Sequence, residues 1–418
     1  ILWFAKNYET IKYHELFICK KSPLDDVDSK YDQIEMPTGV RRGLTIDEKN
    51  GLTPLPEKSN IFRFDTIISS GYRTNTTIDF EVEGKKYHPG DNNNWKSTIE
   101  GMYRLANVNR IGITSKGKLS YIRNFEDFPV VTINSMWNDI GGAVQSRSDP
   151  KVFVVQTGLS VIQRCLLMTT DPGDLVLDPT CGGGTTAYVA EQWGRRWITV
   201  DTSRVAIALA RQRLLTAAFD YYKVNEEPHQ NGALHANPGT GFQYEKVKHI
   251  TLKSIAQNDA LDPIFAKHEP VLAGRLQELN TTLADVTPEI RKKLTAKLAQ
   301  KQKDEGKNAI TDADRRRWEL PQTEWKEWEV PFDTDEIWPE SLQQALNDYR
   351  AAWRTKMNEV NACIEEYAEY ETLVDKPAKN PRLVRVSGPF TVESVIPEEQ
   401  SGDVLRDDSP QTEGVLGT

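Results

Sequence analysis

"LVLDPTCGGGTTAYVAEQWGRRWITVD", residues 175–201, is the stretch from which the fold can be read. An apolar run ends in Asp178, three glycines follow at 182–184, a helical pattern runs on to Gly194, and a second apolar run ends in Asp201. Strand, glycine loop, helix and strand with short joints predict parallel strands joined by a right-handed crossover. The glycines let the backbone turn tightly and approach a ligand, and the N–H groups at the helix start favour anionic groups. Upstream, "LSVIQRCLLMTT" carries Leu159, Ile162 and Leu166 at helical spacing, and "KVFVVQ" before it reads as a short apolar strand or an extended lead-in. Downstream, "SRVAIALARQRLLTAAFDYY" predicts one long amphipathic helix with Ser203 as its N-cap.

Gly182, Gly184 and Ala187 match a GxGxxA pattern, and Asp201 follows Gly182 by 19 residues, about where a dinucleotide fold keeps its ribose carboxylate. A nicotinamide dinucleotide is therefore a rival ligand, whereas a P-loop is not, since no Lys-Ser/Thr pair follows the glycines. Asp178 separates the alternatives. A carboxylate at that strand end repels a pyrophosphate seated over the glycines, but it suits the amino group and sulfonium of S-adenosylmethionine. Asp201 can then accept hydrogen bonds from both ribose hydroxyls.

The 418 residues carry a net charge of -9, with 38% hydrophobic content. That is enough for two or three domains with a sizeable core, and it argues against a protein coated in nucleic acid. Four scattered cysteines without a CxxC pair, and six histidines away from them, predict a reduced, cytoplasmic, metal-free protein. No apolar run has the length of a membrane span. Residues 38–124 reverse the charge balance, with 14 Lys+Arg against 9 Asp+Glu, and interleave aromatic and amide side chains in short strands and turns. Such a block suits nucleic-acid contacts or a solvated β-rich surface. "FQYEKVKHITLKSIA" reads as a strand entering a helix, and residues 260–372 as two or three helices with Trp318, Trp325, Trp328, Trp338 and Trp353 as packing anchors. "RLVRVSGPFTVESV" reads as a strand pair, and both chain ends, "ILWFAKN" (a strand) and the acidic tail, read as cuts through a longer protein.

"DPTCGGGTTA" with "GRRWITVDTSRVAIALARQRL" resembles the methyl-donor motifs of amino-group DNA methyltransferases of the N4/N6 class, whose usual loop is DPFxGSGTT-like. The lead-in "FVVQTGLSVIQRCLLMTTDPGD" is similar to the β arrangement of that class, and the wider layout resembles modification subunits of type III restriction systems. The resemblance implies an α/β fold, part of a doubly wound, mainly parallel methyltransferase sheet with a β-rich target-recognition region and a C-terminal helical region. Its segments would be 1–20 (end of the catalytic half), 21–150 (target recognition), 151–258 (S-adenosylmethionine binding), 259–375 (helical) and 376–418 (strand pair and acidic end). It also implies methyl transfer to the exocyclic amine of a flipped base, N6-adenine ahead of N4-cytosine. Double-stranded DNA would be the partner, with a nuclease-helicase restriction subunit and a homodimer as further partners. No catalytic residue is assigned: the family's Pro-Pro-aromatic tetrapeptide is expected before Ile1, and no Pro-Pro pair occurs in the chain. Gly183 in place of the usual serine is expected to loosen the loop.

Carried onto this sequence, the donor-binding candidates are Asp178 for the methionine part, Gly182 and Gly184 for close approach, Thr185 and Thr186 for capping or contact, and Asp201 for the ribose. Pro179, Thr180, Cys181, Thr202 and Ser203 complete the loop and strand ends, with Cys181 also read as a small buried filler and Ser203 as a helix cap. Phe153, Gln156 and Thr157 fall where the family's lead-in touches adenine and the methionine carboxylate, or pack locally. DNA-contact candidates are Arg41, Arg42, Arg73, Lys85, Lys86, Asn92, Asn93, Trp95, Lys96, Arg104 and Arg110. A nicotinamide-dependent oxidoreductase and a non-catalytic DNA-binding or assembly fragment remain as alternatives.

Overall fold

The computed structural model describes residues 2–20, 31–114, 116–140, 151–228, 234–236, 241–306 and 309–395; the acidic end from 396 lies outside them. In chain order the strands are β1 (Phe17–Cys19), β2 (Gln33–Glu35), β3 (Arg41–Gly43), β4 (Asn60–Thr66), β5 (Ile68–Ser70), β6 (Phe80–Val82), β7 (Lys85–Tyr87), β8 (Asn93–Trp95), β9 (Ile111–Ile113), β10 (Leu119–Asn124), β11 (Val130–Thr132), β12 (Leu175–Asp178), β13 (Arg196–Thr199), β14 (Ala218–Tyr222), β15 (Glu226–Pro228), β16 (Leu234–Ala236), β17 (Tyr244–His249), β18 (Glu369–Pro377) and β19 (Lys379–Val386). The helices are α1 (Ile46–Lys49), α2 (Ile99–Asn107), α3 (Leu159–Thr169), α4 (Thr185–Gln192), α5 (Arg204–Leu215), α6 (Leu252–Ala256), α7 (Leu261–Thr282), α8 (Pro288–Glu305), α9 (Asp312–Trp318) and α10 (Glu340–Glu366). They form two units: residues 1–13, 138–243 and 377–418 make the first, and 14–137 with 244–376 the second.

In the first unit, β12 and β13 pair in parallel from Leu175↔Arg196 to Asp178↔Thr199, with α4 as the crossover between them. Ser203 caps α5 by accepting from Ala206 N–H, as the sequence predicts. The glycine loop packs closely because Gly184 lies against Ala210 of α5: a Cβ on Gly184 would stand 2.7 Å from the Ala210 Cβ, and its φ of +73° is the left-handed region that glycine tolerates.

The α/β class holds, and the expectation of a mainly parallel sheet narrows. Among the described residues β12–β13 is the parallel pair and the other named pairings are antiparallel. Leu175 and Leu177 of the apolar run are 53% and 65% exposed, because the two-stranded ladder is covered on one face and open on the other. The long helix predicted through "AAFDYY" stops at Leu215, and its aromatic end becomes β14, where Phe219 and Tyr222 are buried. "RLVRVSGPFTVESV" holds one strand and not a pair: its first residues end β19, which pairs with β14, and residues 387–395 are irregular; β18 pairs with β17. "ILWFAKN" forms no strand: Leu2 and Phe4 are each 84% exposed, with no ladder partner among the described residues. "KVFVVQ" is likewise irregular rather than a strand, which leaves the extended lead-in.

The second unit is built on a five-stranded antiparallel sheet, β3-β2-β4-β10-β9. "EVEGKKYHPGDNNNWKS", residues 81–97, follows the short strands and turns expected of the basic block: β6, a turn with Glu83 at φ +51° and Gly84 at φ +69°, then β7 and β8. One core gathers Phe80, Trp95, Met102 and Leu105 against Ile255, Leu261 and Val360. A second fills the helical region, where Trp318, Trp325 and Trp338 are buried as the packing reading requires, with Trp353 half-buried against them and Trp328 38% exposed. Removing one such indole costs about 3–5 kcal/mol.

Candidate functional site

The loop between β12 and α4 is held by carboxylates that reach backbone N–H groups. Asp201 accepts from Gly182 N–H through Oδ2 and from Ser203 N–H through Oδ1, both at 2.8 Å. These donors, Ser203 first and then Gly182, hold the Asp201 carboxyl below the usual carboxylate range. Asp178 Oδ1 accepts from Thr180 N–H at 2.9 Å, closing the strand end. The loop is tied across the ladder by Cys181 N–H donating to the Val200 carbonyl at 2.7 Å and Val200 N–H donating to the Asp178 backbone carbonyl at 2.9 Å. Each carboxylate oxygen has two lone pairs, so Asp178 and Asp201 retain acceptor capacity at the surface of the loop.

Phe153 and Gln156 come to this loop. A Cβ on Gly182 would lie 3.6 Å from the Phe153 ring, and one on Gly183 would lie 3.1 Å from the Phe153 Cβ and 3.6 Å from Gln156 Oε1. Gln156 Oε1 also accepts from Val152 N–H at 2.9 Å, which folds the lead-in back on itself. At Gly183 the lead-in lies close enough that a larger side chain would press on Phe153. Thr185 is buried, Thr186 half-buried, and Pro179, Thr180, Thr157 and Thr202 are exposed. Cys181 is 4% exposed, and burial raises its thiol above the ordinary range, which fits a packed filler and not a nucleophile.

Sequence reasoning missed Arg213. It donates through Nη1 to the Gly183 carbonyl at 3.0 Å and to Thr185 Oγ1 at 3.2 Å, with its guanidinium 4.8 Å from the Tyr188 ring centre. In sequence it reads only as a cation in the last turn of a helix, and nothing local marks it as a brace for a loop 30 residues away.

The basic block divides sharply. Arg110 is 8% exposed and bidentate to Asp127 at 2.8 and 2.9 Å, so it is a core ion pair and not a phosphate contact. Arg42 is bidentate to Glu48, which it holds down at about 2, and Arg104 is bidentate to Asp262. Arg41 binds Glu35 and the Asn109 carbonyl. Trp95 is 2% exposed with its N–H on the Ile78 carbonyl, so no face remains for a base. Asn93 is half-buried against Pro89, and Asn92 is exposed. Arg73, Lys85, Lys86 and Lys96 are exposed and make no ion pair among the described residues. No group of three or more His, Cys, Asp or Glu forms a metal-ligand set, and no helix is long and apolar enough to cross a membrane, among those residues.

A family model described as DNA methylase matches residues 1–212. Among curated proteins, the type II methyltransferase M.BamHI of Bacillus amyloliquefaciens is 36% identical over 81 residues, 19% of each chain. The type II methyltransferase M2.DpnII of Streptococcus pneumoniae is 43% identical over 54 residues, 13% of this chain and 20% of its own. The probable type III restriction-modification enzyme HindVI Mod subunit of Haemophilus influenzae is 28% identical over 143 residues, 31% of this chain and 17% of its own. The chain thus spans about a fifth of the length of these relatives. The solved M1.HpyAVI-SAM complex is 25% identical, covers 18% of this chain and 36% of its own, and has a TM-score of 0.17. The family match runs over half of the 418 residues and includes the glycine loop with both flanking acids, and the chain belongs to the N6/N4 DNA methylase family.

Proposed function

We propose that this chain carries the donor-binding and DNA-gripping parts of a site-specific DNA methyltransferase, N6-adenine ahead of N4-cytosine, working in a restriction-modification system. The observation that carries the reading is the glycine loop flanked by Asp178 and Asp201 inside the segment that matches the methylase family. The donor set fits S-adenosylmethionine: the carboxylates keep free acceptor capacity on either side of a closely packed backbone, with a phenyl ring beside it. When bound, that donor supplies an electrophilic methyl group on a sulfonium.

Asp201 would accept from the ribose hydroxyls while continuing to hold Gly182, so that donor binding and loop shape are coupled through one carboxylate. Asp178 would face the cationic methionine end, and Phe153 would pack against the adenine. Arg213 would act as a positioning residue, holding the Gly183 carbonyl and the Thr185 hydroxyl. The finer fold follows from the same reading: β12–β13 would be the donor-binding strands of a doubly wound, mainly parallel sheet, and their open apolar face, with Leu177 65% exposed, is where further layers would pack. The segment boundaries at 20, 150, 258 and 375, a cytoplasmic location, a homodimer and a restriction-subunit partner belong to this proposal too, the last supported by the likeness to a type III Mod subunit.

Calorimetry with S-adenosylmethionine, and fluorescence with NADH, test the donor assignment. Binding of the methyl donor that is weakened by Asp201→Ala is expected; NADH binding without methyl-donor binding would transfer the loop to an oxidoreductase reading. Tritium transfer from labelled donor to duplex DNA, followed by base analysis, separates adenine from cytosine.

A further inference from the structure

A hollow of about 600 Å³ in the second unit, within the roughly 300–1,000 Å³ of ligand sites, is lined by Arg73, Lys96 and Lys253 together with hydroxyl and amide side chains, and by no Asp or Glu. We propose that it is a clamp for the sugar-phosphate backbone of DNA, with Lys253 of α6 as a phosphate contact outside the basic block.

Its frame is fixed by buried contacts. Asn94, 3% exposed, donates to the Gly71 carbonyl at 2.6 Å, and the turn that presents Arg73 is closed by Thr77 N–H donating to the Arg73 carbonyl at 2.8 Å and by Arg73 N–H donating to Thr77 Oγ1 at 3.0 Å. α6 approaches α2 at Gly101, where a Cβ would stand 3.0 Å from that of Ala256, and Lys253 of α6 lines the hollow together with Lys96 and the Thr98 cap of α2. The other candidate arginines of this unit are bound to carboxylates at Glu35, Glu48, Asp127 and Asp262. The three cations of the hollow make no ion pair among the described residues.

Three unpaired cations without a facing acid make a positive field that a phosphodiester would neutralise. The hollow offers no stacking surface, since Trp95 is 2% exposed and its N–H is taken by Ile78. A base would therefore gain little here, and the backbone is the matching ligand.

This inference rests on the DNA-methyltransferase reading, and the test separates the two. Fluorescence anisotropy of labelled duplex DNA with the whole chain is followed from about 50 to 200 mM salt. The combined Arg73→Ala, Lys96→Ala, Lys253→Ala variant is expected to weaken binding at least about tenfold at low salt and to flatten the salt slope by about 2–3. Lys253→Ala alone should flatten it by about 0.9, and Lys253→Arg should restore it. The loss should be equal on two unrelated duplexes. An unchanged slope in a wild type that binds DNA overturns the hollow alone, whereas a wild type that binds no duplex overturns the DNA reading with it. A loss confined to one sequence, or tighter binding of single-stranded RNA, overturns the backbone assignment. Inorganic phosphate that raises the melting temperature, together with an unchanged DNA slope, reassigns the hollow to the free anion and overturns it as well.

Discussion

The two regions singled out by sequence, the glycine loop of residues 175–201 and the basic block of 38–124, fold by different rules. In the loop, candidate residues bind backbone within the same motif: Asp201 to Gly182 and Ser203, Asp178 to Thr180. In the block, four candidate arginines bind carboxylates, one of them, Asp262, lying 158 residues from Arg104. A motif made of short-range backbone contacts keeps in three dimensions the meaning it has in sequence. A charge count does not, because long cations find partners that the local text does not show.

The sharpest way to break that comparison is Arg110→Ala. Asp127, 2% exposed, would be left as a buried unpaired charge, and urea denaturation should show a loss of about 3–5 kcal/mol. A loss near zero would mean that the arginine was available to DNA after all. Next is Asp201→Ala, which removes two charge-assisted hydrogen bonds from the loop. Donor affinity measured by calorimetry should fall roughly a hundredfold, and an unchanged Kd would sink the ribose assignment.

Glu48→Gln tests a second structural pair. Because Arg42 lowers the Glu48 carboxyl to about 2 from 4.5, its contribution is complete above pH 4.5 and is lost as pH falls through 2. Wild type should exceed the variant by about 2–3 kcal/mol at neutral pH, and the gap should close across that window. Gly184→Ala should cost about 1–3 kcal/mol in thermal melts, from the 2.7 Å approach to Ala210 and the positive φ. The smallest stability effect is expected from charge reversal at exposed Lys85 and Lys86, within about 0.5 kcal/mol. Its mark would be weaker DNA binding with a flatter salt dependence, and an unchanged slope would return the β6–β7 hairpin to plain surface.

Elements with a short-range signature were legible: the β12–loop–α4–β13 order, the Ser203 cap, the short strands and turns of the basic block and the buried tryptophans of the helical region. "AAFDYY" was misread because its apolar residues continue the preceding helix until β19 offers a ladder. "ILWFAKN" shows the reverse, an apolar run with no ladder among the described residues.

By itself the sequence determined that a glycine loop sits between two strands each followed closely by an acid, because those contacts are set by neighbours in the chain. Only the tertiary structure decided that Arg213 braces the loop, that Arg110 belongs to the core, and that Lys253 lines one hollow with Arg73 and Lys96. Those facts depend on which distant segments meet, and a charged side chain carries no local mark of whether it will meet a carboxylate or be left facing solvent.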